Sequence, residues 1–217
     1  MVILQEEGDI NPGELHLPFS FEIPVGHPST YHGRWSNVEY MLTAKLDIPW
    51  AFDIKSGGEV IVKSYSRPRQ SRELTEISDH KQFPDLQVEI PRDVLCIGDD
   101  LIFRVCVSDE RKIRGLRVDL INREWAKAKR VHRDGDRIIL TKFFPEERIL
   151  GNSWIKMRLK SSTKVPATYE SEIMSSKVFL KVTMDIPWDF DTSIYLPIHT
   201  CYCPLLPDDD FSFESIY

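Results

Sequence analysis

Two short groupings carry side chains of a kind that could do chemistry. His132-Arg133-Asp134 has the order of a kinase catalytic loop, where the Asp would accept the proton of a substrate hydroxyl. No glycine-rich loop, strand lysine or Asp-Phe-Gly accompanies it, and Asp134-Gly135-Asp136 predicts a hairpin turn. His199, Cys201 and Cys203 alternate along one stretch and offer imidazole and thiolate donors of the type zinc takes. A structural zinc takes four ligands, and Cys96 and Cys106 are not spaced as a second pair, so the row reads as a strand end. Gly-x-Ser-x-Gly, a Walker loop and His-Glu-x-x-His are all missing from the sequence. The residues therefore predict no catalytic, cofactor-binding or metal-ligating site.

Charge offers another route to function. Residues 1–60 hold nine Asp/Glu against three Lys/Arg, whereas residues 111–160 hold fifteen Lys/Arg against six Asp/Glu. The basic band, with Arg130, Arg133 and Arg137, reads either as a solvated face or as a surface that steers a partner. After Cys203 comes a segment that mixes Asp208, Asp209 and Asp210 with Phe211, Phe213, Ile216 and Tyr217. It reads either as a solubilising end or as a docking segment held near the domain by a short tether. A basic band without interleaved aromatics predicts no nucleic-acid partner.

What must position these groups is set by a phrase that occurs twice. Asp47-Ile48-Pro49-Trp50-Ala51-Phe52-Asp53 returns 138 residues later as Asp185-Ile186-Pro187-Trp188-Asp189-Phe190-Asp191. In the same register Pro28-Ser29-Thr30-Tyr31 falls on Pro166-Ala167-Thr168-Tyr169, and the offset runs back to Gly13 and Gly151. A period of this length signals a duplicated domain. Each copy alternates apolar and polar residues, from Val38 to Phe52 and from Val178 to Phe190, which predicts strands with one buried face. On that phase Pro49 and Pro187 mark bends, and Trp50, Phe52, Trp188 and Phe190 are expected to plug the core.

Around the repeat, further strands are expected at 15–23 and at 59–63 after a Gly57-Gly58 turn. Others follow at 86–90, 101–107, 113–128, 137–144, 152–160 and 194–199. No amphipathic helix is legible, and strands at this spacing predict an antiparallel sandwich. Residues 66–82 are polar and aperiodic, as a linker is. The expected division is a partial first domain at 1–66, a linker at 67–83, a complete sandwich at 84–203 and an acidic aromatic tail at 204–217. Three strands with one apolar face do not make a two-sheet sandwich, so the first unit is expected to pack on the second or on another copy. No apolar run reaches 18 residues, the start lacks a signal-peptide pattern, and four cysteines are too few for a disulfide scaffold. These features predict a cytoplasmic protein with reduced thiols.

The strand ending Phe-Ser-Phe-Glu-Ile-Pro, the loop Pro-Ser-Thr-Tyr and the strand Val-Glu-Tyr-Met-Leu-Thr-Ala-Lys-Leu-Asp-Ile-Pro-Trp, with the duplication, resemble the arrestin superfamily. That group includes arrestins, the retromer small subunit and prokaryotic sporulation-control proteins. The resemblance covers roughly 13–65 and 84–202. It implies tandem immunoglobulin-like sandwiches, the first one incomplete, and a scaffold or adaptor that binds other proteins without catalysis. An alternative is an accessory subunit whose half-domain completes a sandwich with another chain. The part of the first domain that senses phosphate in arrestins has no counterpart here, so no phosphate-binding residue is carried over.

Overall fold

The computed structural model describes residues 4–6, 8, 17–24, 26–64, 71–77, 86–108, 112–149, 151–160, 163–188 and 190–203. Its strands in chain order are β1 (Tyr31–His32), β2 (Asn37–Val38), β3 (Met41–Leu46), β4 (Ile54–Glu59), β5 (Leu74–Ile77), β6 (Leu86–Ile90) and β7 (Val94–Cys96). They continue with β8 (Leu101–Val107), β9 (Gly115–Ala128), β10 (Val131–Pro145), β11 (Ile155–Leu159), β12 (Tyr169–Glu170), β13 (Met174–Asp185) and β14 (Thr192–Cys201). A 3₁₀ turn at Glu146–Arg148 is the one helical element among the described residues.

Two sheets make the larger unit. One has the order β10-β9-β13-β14-β7 with β12 added to β13, and the other β11-β8-β6-β5. Alternation explains how they meet. Val178, Leu180, Val182 and Met184 of β13 are buried in phase, with Val118 and Leu120 of β9 beside them and Val88, Phe103 and Val105 from the second sheet. This all-β, largely antiparallel sandwich is of the fold class expected from the sequence.

The duplication holds atom by atom. Thr30 donates its backbone N–H to Val62 O at 2.8 Å and accepts the Val62 N–H on Oγ1 at 2.8 Å. Thr168, at the same offset, donates to Thr200 O at 2.8 Å and accepts the Thr200 N–H at 2.9 Å. Tyr31 pairs with Val38 as Tyr169 pairs with Ser176. Hairpin β3–β4 matches β13–β14, so the repeat extends to Val62 and Thr200, past the phrase that revealed it.

Several expectations are corrected. Residues 17–24, expected within a strand at 15–23, form none and lie exposed, whereas their counterpart β11 pairs with β8. Among the described residues no strand lies beside 17–24, and an unpaired strand leaves its backbone groups unsatisfied. Gly57 and Gly58 are not a turn but lie inside β4. A Cβ on Gly57 would meet Leu42 O at 2.7 Å, so close backbone approach is what glycine provides there. The β9–β10 turn is at Lys129 and Arg130, and Asp134-Gly135-Asp136 is strand, with Asp136 bonded across the ladder to Arg123. Leu74–Ile77, inside the expected linker, pairs with β6.

The thiols also differ from expectation. Cys96 and Cys203 form a disulfide with Cα atoms 5.5 Å apart, and Cys106 and Cys201 remain thiols. The parallel pairing of β7 with β14 sets Cys96 opposite Cys201 and brings Cys203 within bridging range, which a separation of 107 residues concealed.

Candidate functional site

The repeated phrase does not plug the core. Trp50 and Trp188 are 105% and 104% exposed, and Phe52 and Phe190 are 96% and 91% exposed. Burial in phase lasts through Ile186 in the second copy. In the first it fades from half-buried Val38, Tyr40 and Leu42 to exposed Ala44 and Leu46, because among the described residues no second sheet covers β3–β4. Both phrases are hairpin tips, the connections β3–β4 and β13–β14. At the first tip the Ala51 N–H bonds to Ile48 O at 3.2 Å, Pro49 sits second, and Trp50 third with φ +65°. That is the form of a type II turn, whose third position normally takes Gly or Asn. Trp188 repeats it with φ +62° after Pro187.

The tips are acidic and braced at their bases. Lys45 bonds Asp53 at 3.0 Å and Asp47 at 3.3 Å, which holds the Asp53 carboxyl below its usual range. Arg114 Nε donates to Asp185 Oδ1 at 2.8 Å, and the Ile186 N–H donates to Asp191 Oδ1 at 3.3 Å. Each tip thus offers a Trp and a Phe on a fixed base within a ring of carboxylates.

Arg130, Arg133 and Arg137 are exposed on the β9–β10 hairpin, as the basic band requires. The band carries an open cleft of about 220 Å³ lined by Arg137, Ile138, Ile139 and Lys164. It lies where the β9–β10 register slips between Ile138 and Leu140, a bulge on an edge strand. Asp208, Asp209, Asp210, Phe211, Phe213 and Tyr217 lie outside the described residues.

Sequence reasoning missed a polar joint between the first unit and the sandwich. Along β9 the buried phase passes from Val118 and Leu120 to Asn122 and Glu124, and there segment 31–36 is the cover. Glu124 accepts the backbone N–H groups of Arg34 (2.8 Å), Trp35 (2.9 Å) and Ser36 (3.0 Å), and the Ser36 hydroxyl at 3.0 Å. Asn122 donates to Tyr31 Oη at 3.1 Å and accepts from Ser176 at 2.9 Å. Burial alone would raise the Glu124 pKa, but the bonds from Trp35, Arg34 and Ser36 outweigh it and hold the carboxyl below its ordinary value. A Cβ on Gly33 would come within 2.2 Å of Glu124 Oε1, so this glycine lets the loop close on the carboxylate. The signal was two polar residues in a buried strand phase.

Residues 3–65 match the family described as arrestin (or S-antigen), N-terminal domain. That segment is arrestin-like. Among solved structures the chain is similar to the sporulation control protein Spo0M of Bacillus subtilis, with 15% identity and a TM-score of 0.44 over 54% of this chain and 49% of that one. The chain thus spans about half the length of that protein. No curated protein matches the sequence. The arrestin-like segment takes in β1–β4, the first aromatic tip and the loop that Glu124 holds. Arrestin-like families are in general non-enzymatic and act through protein interactions. Among the described residues no helix is long and apolar enough to cross a membrane.

Proposed function

We propose that this chain is a cytoplasmic adaptor that binds other proteins and catalyses nothing, and that the twin tips make the contact. One observation carries the reading: four aromatic side chains at two equivalent hairpin tips lie in water, two of them on a left-handed backbone. A buried aromatic contributes about 150–250 Å² of contact, and Trp is among the residues that most often dominate binding energy. A left-handed residue other than Gly costs roughly 1–2 kcal/mol. Exposed Trp rings give no core contacts to offset that cost, which is consistent with their being presented to a partner. The organisation proposed is 1–66, 84–203 and the tail 204–217, with β5 moving 74–77 out of the linker and onto the sandwich. The basic residues Arg130, Arg133 and Arg137 and the tail residues Asp208 to Tyr217 are proposed as further partner surfaces.

A photoreactive p-benzoylphenylalanine at position 50 or 188 of the full chain tests the reading. The same partner protein should be captured from both positions and not from exposed Lys129. Equal labelling from position 129 would overturn the assignment.

A second reading has its own support. Met41, Ile54 and Ile61 are exposed beside a hairpin that no second sheet covers among the described residues, which favours a half-domain completed by another chain. Association that survives loss of both tips but not Met41→Ser/Ile54→Ser would select this reading.

A further inference from the structure

We infer that Cys96, Cys201 and Cys203 form a thiol–disulfide exchange site, in which the Cys201 thiol takes over the bond to Cys96 from Cys203. The inference is independent of the adaptor reading and concerns how the end of β14 is tied to its surroundings.

Three sulfurs meet there. Cys96 of β7 is bonded to Cys203, and the Sγ of Cys201, a thiol, lies 3.8 Å from the Sγ of Cys203. The third sulfur therefore touches the bond without belonging to it. Cys201 and Cys203 are two apart at a strand end, the spacing that puts side chains on one face. Register adds Cys96, the direct partner of Cys201 in the parallel β7–β14 pair. The His199 N–H donates to Asp93 O at 2.7 Å and the Ile97 N–H to Cys201 O at 2.9 Å, so the pairing holds on both sides of the cysteines.

A bond from Cys96 to Cys201 fits this backbone. Neighbouring strands lie about 4.8 Å apart, inside the Cα separation of roughly 4.4–6.8 Å that a disulfide spans. Joining Cys201 to Cys203 instead would bridge two residues of one extended stretch, about 6.6 Å, at the outer end of that range. Cys96 is therefore the sulfur that changes partner.

The step balances without an added oxidant or reductant. The Cys201 thiol gives its proton to water, and the thiolate attacks Cys96 Sγ. The Cys96–Cys201 bond forms as the Cys96–Cys203 bond breaks, and the electron pair leaves on Cys203 Sγ, which takes up a proton. Cys201 is 2% exposed and Cys203 is half-buried, so the exchange moves the thiol from a buried place to a more accessible one. Cys106 lies on β8 in the other sheet and takes no part.

The exchange bears on the contact between the first unit and the sandwich. Tyr202, between the two cysteines, has the Lys63 ammonium 5.7 Å from its ring centroid. Lys63 follows Val62, which is bonded to Thr30 of the first unit. With the bond at Cys203, the chain is tied to β7 on both sides of Tyr202. Moving the bond to Cys201 releases the far side and loosens the ring from Lys63.

The experiment is native-state alkylation of the oxidised full chain, with Cys106→Ser to remove the spectator thiol. N-ethylmaleimide is applied at about pH 6, 7 and 8, a range over which the thiolate fraction climbs. The chain is then unfolded in acid, and chymotrypsin, which cuts after Tyr202, separates Cys201 from Cys203 for mass spectrometry. The label should appear on Cys203 together with a Cys96–Cys201 bond, at a rate that rises about tenfold per pH unit while the thiol is mostly protonated. Cys203→Ser should still oxidise, through Cys96 and Cys201, and melt with wild type. Cys201→Ser should keep the Cys96–Cys203 bond and take up no label. The ring-current shift that Tyr202 puts on the Lys63 methylenes should persist in Cys201→Ser and shrink in Cys203→Ser.

Label that stays on Cys201 with Cys96 still bonded to Cys203 overturns the inference, as does an absence of label at every pH. Label on Cys96 with a Cys201–Cys203 bond would overturn the direction assigned to the exchange. A Cys203→Ser chain that folds but forms no disulfide would overturn the cross-strand pairing. Equal Lys63 shifts in the two variants would overturn the link to the first unit.

Discussion

Trp50 and Trp188 stand 138 residues apart and in one backbone state, φ +65° and +62°, each following a proline and each with its ring in water. Pro at the second turn position presets φ near −65° and has no N–H to leave unsatisfied. In the type II form the third position takes positive φ, where Trp is an uncommon occupant. The same solution at both tips, one on a full sandwich and one on an open hairpin, makes it a property of the phrase and not of its surroundings.

Trp188→Gly should change stability by less than about 1 kcal/mol. Relief of left-handed strain offsets the added freedom of glycine in the unfolded chain. Leu180→Ala, fully buried on β13, the strand that leads to that tip, should lose about 2–5 kcal/mol. Denaturant melts of the two variants provide the comparison. A loss of several kcal/mol for the glycine variant would mean that the ring packs in the core.

Glu124→Gln should loosen the joint. The amide keeps one acceptor oxygen but turns donors toward backbone N–H groups that need acceptors, a loss of about 2–3 kcal/mol. Amide exchange at Arg34, Trp35 and Ser36 should accelerate while that of Leu180 and Val182 stays unchanged. Folding lowers the Glu124 pKa, so its contribution is fully present above the unfolded value of about 4.3 and is lost as pH falls through the lower folded value. Exchange at residues 34–36 should therefore rise with acid in wild type, and less so in the Gln variant.

Period-two alternation placed β6, β8, β9, β13 and β14, because a half-buried strand writes its environment into every second residue. The same alternation misplaced Trp188 and Phe190. It continues in phase past Ile186, where the core ends, and phase alone does not say how far the opposing sheet reaches. For β3 the pattern was right but no sheet covers it among the described residues, so Leu46 alternates and is still exposed. Glycine misled twice, at Gly57 and at Gly135; at Gly57 close backbone approach calls for the same residue that a turn does. The Cys96–Cys203 bond and the Glu124 joint depend on pairings 107 and about 90 residues apart in sequence, which no local pattern encodes.

Cys96→Ser should lower stability by about 2–4 kcal/mol, as loss of a bond closing so long a loop implies. Melts with and without reductant should reproduce the difference in wild type and show none in the variant. Disulfides persist mainly in oxidising compartments, so alkylation of freshly lysed cells also tests the proposed cytoplasmic setting: a fully oxidised pair there would speak against it.

Deleting 207–217 should increase retention of the chain on a polyanionic resin at low ionic strength, if the acidic tail shields Arg130, Arg133 and Arg137. Exposed pairs contribute at most about 1 kcal/mol each and fade with salt. Identical retention with and without the tail would remove it from the account.

The central claim is that the repeated phrase points outward, and tryptophan fluorescence tests it most directly. The difference spectrum between wild type and Trp50→Phe/Trp188→Phe isolates the two tip indoles from Trp35, Trp125 and Trp154. The account predicts a red-shifted, water-exposed component that acrylamide quenches as freely as it quenches a tryptophan amide in solution. A blue-shifted component protected from the quencher would put both rings in the core and contradict the claim.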